Sequence, residues 1–276
     1  MKLRIEYIAN DIKKLKLKLK SLPSKILFVI YIKISDIKRA LKTLRRFIFF
    51  NIYCYCKRYM ELNIFVYILL VFCIPYLLYS NFRINPRKGF SILFISIISL
   101  VVLLNFTVLT VIGTLLLASS LLIEKKNLHP YIYTTSFVTF NSEIFNILEL
   151  RFIDLTINYL FPISLVSCVF SSMMIGHWFL VDPTISKEGM KKIALLGTIQ
   201  SLILVPLIYF EFIGQDIDTI FKNVILILFF STSVLSFASF RSLGEKSYTG
   251  VMASTGLSYL SLIVSLGGSG GLLLLS

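Results

Sequence analysis

The chain has 276 residues, 57% of them hydrophobic and only 15% charged, with a net charge of +14 and a mean hydropathy of +0.84. Soluble domains carry about 25% charged residues and need polar surface around their whole core; this composition excludes such a body and makes lipid the solvent for much of the surface. Most Lys and Arg precede Glu61, beside the first long apolar run, a placement that favours anionic lipid over nucleic acid as their partner.

Residues 1–60 read as a basic amphipathic helical region, cytoplasmic or interfacial. Ile8, Ile12, Leu15, Leu19 and Leu22 recur at spacings of four and three, one face of a helix. Lys13, Lys14, Lys16, Lys18 and Lys20 fill much of the rest. Pro23 interrupts the pattern, and a second stretch follows with Lys38, Arg39, Lys42, Arg45 and Arg46 around Ile34, Ile37, Leu41, Leu44 and Ile48. These ten cations are the expected contacts to phospholipid headgroups. Residues 26–32 are apolar but too few to span a bilayer. Cys54 and Cys56 form a C-x-C beside the boundary, and Cys73 and Cys168 lie in apolar runs; neither pair has metal or disulfide spacing.

Residues 61–276 read as an all-α, polytopic transmembrane helix bundle. The first span covers 62–79, with Pro75 near its end, and Arg83, Arg87 and Lys88 follow as a short basic loop. Residues 90–123 carry no charge over 34 positions. One straight helix of that length reaches about 50 Å, beyond a hydrocarbon core of about 30 Å, so the segment is either one long tilted helix or two short ones meeting near Asn105. Residues 127–150 are more polar, and His129-Pro130 is expected to break a helix there, with Tyr131, Tyr133 and Phe137 as interfacial rings. Further spans are expected at 155–181, 193–213, 223–240 and from about 248–251 to 275, the last bent or frayed by the glycines of 267–271.

Loop charge sets the expected orientation. Loops 182–192 and 241–247 are basic and the loop between them is acidic. Seven spans, with 90–123 crossing twice, reconcile those loops with a cytoplasmic N-terminus and an outside C-terminus; six spans set the two ends of the argument against each other. The seven-span reading places 81–89 outside, opposite 182–192, in what is expected to be the cytoplasmic (inner) membrane.

Gly176, His177, Trp178 and Asp182 form the most singular patch, with one of two histidines and the only tryptophan. Imidazole can ligate haem iron, relay a proton or hydrogen-bond a quinone or headgroup; the alternative is an interfacial anchor. No catalytic, metal or cofactor set is assigned, haem and quinone being the groups His177 brings to mind. Ser167, Ser171, Ser172 and Gly176 favour close helix packing. Walker A, dinucleotide-binding, H-E-x-x-H and G-x-S-x-G patterns are absent. Few embedded charges favour a non-enzymatic accessory, assembly or envelope component with lipid and membrane-protein partners. A permease for a small or apolar solute, and a redox or lipid-active enzyme using His177, are the alternatives.

Overall fold

The computed structural model describes residues 62–84, 86–123, 128–148, 155–214, 217–245 and 247–275, and the basic region 1–60 with its ten expected lipid-contacting cations lies outside them. Every element among the described residues is helical. In order they are α1 (Leu62–Ile84), α2 (Lys88–Leu104), α3 (Val108–Leu122), α4 (His129–Leu148), α5 (Phe161–Val181), α6 (Lys187–Tyr209), α7 (Thr219–Ser242) and α8 (Tyr248–Leu275). Wide π-helical turns close α1 at Ser80–Ile84 and open α5 at Leu155–Leu160. Helix is the form that satisfies backbone groups without water. The small polar side chains inside the helices use the same device: Ser80 Oγ donates to Tyr76 O at 2.7 Å and Ser201 Oγ to Gly197 O at 2.9 Å. Five helices, α1 and α5 to α8, are long and apolar enough to cross a membrane.

The 90–123 segment is two helices, as one of its two sequence readings had it. The backbone is extended at Asn105 and Thr107. Thr107 and Thr110 then form a reciprocal N-terminal cap on α3. The residue pair expected to break a helix instead opens one: α4 starts at His129 with Pro130 in its first turn, where the missing N–H leaves no bond unmade. The glycines of 267–271 do not end α8. A Cβ built on Gly268 would lie 3.3 Å from the Phe229 ring, so that stretch is where α7 comes close.

The long-range contacts show how the helices run. At one end Arg87 meets Asp182, Gly189 meets Ile84, and Lys187 Nζ donates to Glu245 O and Ser247 O. At the other, Ser269 Oγ donates to Pro162 O and Gly214 approaches Leu272. Between them, α3 and α4 form an antiparallel hairpin, tied near the first end by Ser120–Tyr133 and near the second by Asn105–Glu143. Successive helices therefore alternate in direction from α1 to α8. Loops 81–89 and 182–192 share an end, contrary to the expectation that they lie on opposite sides. The reason is α4, an extra traverse where the sequence suggested a polar connection.

Described charges divide between the two ends. The first holds Arg83, Arg87, Lys88, Lys187, Lys191, Lys192 and Arg241 against Asp182, Glu188 and Glu245. The second holds Glu143, Glu211 and Asp218 against Lys222. We call them the basic and acidic ends. The most enclosed helix is α5, with 72% of its apolar window buried against 33% for α7 and for α8.

Candidate functional site

The patch at the end of α5 comes apart into four different environments. Gly176 is buried, and a Cβ there would lie 2.6 Å from Thr255 Oγ1, so it is a close approach of α5 to α8. Trp178 stands against Gly89 and meets the Phe90 ring edge-on at 5.8 Å. Its indole N–H is buried without a hydrogen-bond partner. His177, one position away on the helix, is exposed. Asp182 is 1% exposed and binds the first residues after the helix: Thr184 Oγ1 donates to Oδ1 at 2.5 Å and Arg87 Nε lies 3.5 Å from Oδ2. The Thr184 hydroxyl and amide, with the Arg87 guanidinium behind them, hold its carboxyl below the usual carboxylate range. Asp182 is thus a joint between α5 and the start of α2. The four residues do not converge on a common space.

The second histidine, His129, stands at the same end as His177. His129 Nε2 donates to Ile123 O at 2.9 Å and its ring meets Tyr133 edge-on. No group of three His, Cys, Asp or Glu among the described residues is arranged to hold a metal ion. Glu143 is buried and accepts from Asn105 Nδ2 at 3.1 Å; the nearby charged residues Glu149, Arg151 and Asp154 lie outside the described residues. Glu211 sits at a positive φ of 63° and pairs with Lys222 at 2.7 Å, which lowers its carboxyl pKa.

The serines of α5 do the packing that their size suggests. Ser167 Oγ donates to Leu69 O of α1 at 2.8 Å, and Ser172 meets Ser258 of α8. The seam continues between α7 and α8 through Ser236–Ser261 at 3.0 Å and Ser239–Ser254 at 2.7 Å. The space among Cys168, Ser172, Ser236, Ser239 and Ser258 is only about 10 Å³, room for one water at most. Met173 and Met174 are buried and half-buried core residues.

Two arrangements escaped the sequence. One is a chain of hydrogen bonds at the basic end, from Ser91 to Asn81 to the Tyr133 hydroxyl, which also accepts from Ser120. The other is a groove on the side of the bundle that gathers Gln200, a polar residue within the apolar run of α6, with Lys192, Tyr76 and Tyr79. The signal for both was polar residues placed in otherwise apolar helices. Their partners are up to 124 positions away and had no sequence mark. No protein-family model, curated protein or solved structure matches the chain.

Proposed function

We propose that this chain is a multi-pass membrane component of the accessory or assembly type, which acts through its surfaces and not through an internal passage or a catalytic centre. The observation that carries this reading is the fate of the α5 patch. Gly176, Trp178 and Asp182 are each taken up by helix packing or loop closure, and His177 stands alone and exposed. The closed serine seam among α5, α7 and α8 supports the same reading against a permease path between these helices.

Among the described residues the proposed topology has eight traverses, the five long helices together with the shorter α2, α3 and α4, in place of the expected seven. The basic end faces the cytoplasm. Three separate described connections at that end carry net positive or balanced charge, and the acidic connection at the other end agrees. This orientation brings the chain into α1 from the acidic, outer face; the expected cytoplasmic N-terminus falls in residues 1–60, outside the described residues.

Blue-native electrophoresis of gently solubilised membranes tests the function. The expected result is migration in a complex larger than the 31.6 kDa chain, with no solute flux when the purified protein is placed in liposomes. A lone monomer that conducts a solute overturns the reading. A Soret band lost on His177→Ala would instead establish haem binding. For the topology, single cysteines at Lys88 and Ser247 are expected to label from one face, and one at Asp218 from the other.

A further inference from the structure

Between α1, α4, α5 and α6 a groove of about 480 Å³ opens on the side of the bundle, within the size range of small-molecule sites. We propose that it holds one anionic phospholipid, with the phosphate at Lys192 and one acyl chain lying along Phe72, Phe137 and Leu196. This goes beyond the accessory role above and needs only that the bundle sit in a bilayer.

Three observations support that occupant. The first is the order of chemistry with depth. Lys192 lies in the second turn of α6 at the basic end, exposed and at the mouth. Tyr79 lies five residues from the end of α1, about 8 Å in, and Gln200 lies eight residues beyond Lys192, about 12 Å along α6. The rest of the lining is mainly apolar. Phe137 and Leu196 lie between Tyr79 and Gln200 in depth, so a cation and a hydroxyl near the mouth stand above a mainly apolar trough, the order that a phosphate and an acyl chain present.

The second is unfilled hydrogen-bonding capacity. Tyr79 Oη and Gln200 Oε1 are buried without a partner, and the one bond from Gln200 Nε2, to Tyr76 Oη, is long at 3.4 Å. An unpaired polar group at such a site is costly. The Tyr79 hydroxyl is the donor that an ester carbonyl lacks in hydrocarbon. The third is access. Pro75, Leu196 and Lys192 on the rim are exposed, so the groove opens sideways, the direction from which a lipid arrives. Charge complementarity selects the headgroup: Lys192 lies among the excess cations of the basic end, and no carboxylate lines the groove. A zwitterionic lipid carries its own cation and gains less there.

Native mass spectrometry of the full chain, released from detergent containing phosphatidylglycerol or phosphatidylcholine, tests the proposal. One phosphatidylglycerol is expected to remain bound in preference to phosphatidylcholine. Lys192→Glu is expected to weaken its retention on the order of tenfold, and Leu196→Trp, which fills the groove, to abolish it. Lys88→Glu, which changes an exposed cation of the same end outside the groove, is expected to leave retention unchanged. Thermal melting in the same detergent shows that each variant is folded. Equal retention of both lipids, equal losses in the Lys88 and Lys192 variants, retention in folded Leu196→Trp, or a co-purifying mass of a quinone or free fatty acid overturns the proposal. A protein that binds the lipid yet migrates as a lone monomer would refute the accessory role and leave the groove standing.

Discussion

The α3–α4 hairpin and the α5–α7–α8 seam meet the same problem with different residues. Lipid tails are as apolar as leucine, so helices in a bilayer associate through close packing and hydrogen bonds, not through expulsion of water. The seam uses small side chains almost alone, serine against serine and Gly176 against Thr255. The hairpin adds larger polar anchors at both ends. Asn105 binds Glu143, the Tyr133 hydroxyl accepts from Asn81 and Ser120, and in the middle Ser136 Oγ donates to Gly113 O beneath the Phe140 ring. The difference follows helix length. The long helices of the seam each have an extended contact line, whereas α3 has 15 residues and one main partner, α4. A short helix holds its register with a few directional bonds.

The largest effects should come from side chains forced into two close approaches between helices. Gly176→Leu is expected to drive α5 from α8 and cost about 1–3 kcal/mol or more. Gly113→Leu, where a Cβ already lies 2.7 Å from the Phe140 ring, should cost about the same. Melting in detergent checks both, and a tolerated Gly176→Leu would show that the seam is looser than its geometry. Tyr133→Phe removes one hydroxyl from three helices at once. Its expected cost is about 0.6–1.7 kcal/mol, the range for hydrogen bonds between membrane helices. Ser239→Ala in the seam should cost no more than about 0.6 kcal/mol, because neighbouring serines share the contact. If Ser239→Ala proved the worse of the two, the contrast between anchors and seam would fail.

Asp182 gives the smallest and most conditional effect. Its carboxyl pKa is lowered in the folded protein, first by Thr184 and then, among other groups, by Arg87. The stabilisation is therefore complete above the unfolded carboxylate pKa and is lost as pH falls through the lower, folded value. Melting temperature should drop on acidification more steeply in the parent protein than in Asp182→Asn, and Thr184→Ala should lie between them. Identical acid profiles would mean that the carboxylate is not held as the structure shows.

The long traverses were legible because α1 and α5 to α8 run for 23 or more residues, each with an apolar stretch of 18. The break near Asn105 was legible because an uncharged helix of 34 residues would overshoot the bilayer. Helix α4 was not. Its hydroxyls and amides lower its hydropathy, yet many are neutralised within the helix: Ser142 Oγ donates to Val138 O, Thr139 Oγ1 to Thr135 O and Asn141 Nδ2 to Phe137 O. A hydropathy sum counts those groups as exposed. Losing α4 moved 81–89 to the wrong side, an error that one ion pair, Arg87 with Asp182, exposes. The α5 patch was legible as unusual but not as structural, because the Thr255 and Gly89 neighbours that explain it lie 79 and 89 positions from Gly176 and Trp178. The groove was half visible, through Gln200 alone.

The shortness of α2 and α3 also reaches beyond the protein. Seventeen and fifteen residues give apolar lengths of roughly 25 and 22 Å, less than a hydrocarbon layer of about 30 Å. Leu103, Val108, Leu115 and Leu122 along them, and Phe106 between them, are exposed, so this flank presents an apolar surface. In the proposed topology a hydrophobic mismatch there would draw the two leaflets together. The bilayer would then be thinner on that one flank than beside α7 and α8, and the asymmetry would bias which neighbours, lipid or protein, gather at each side.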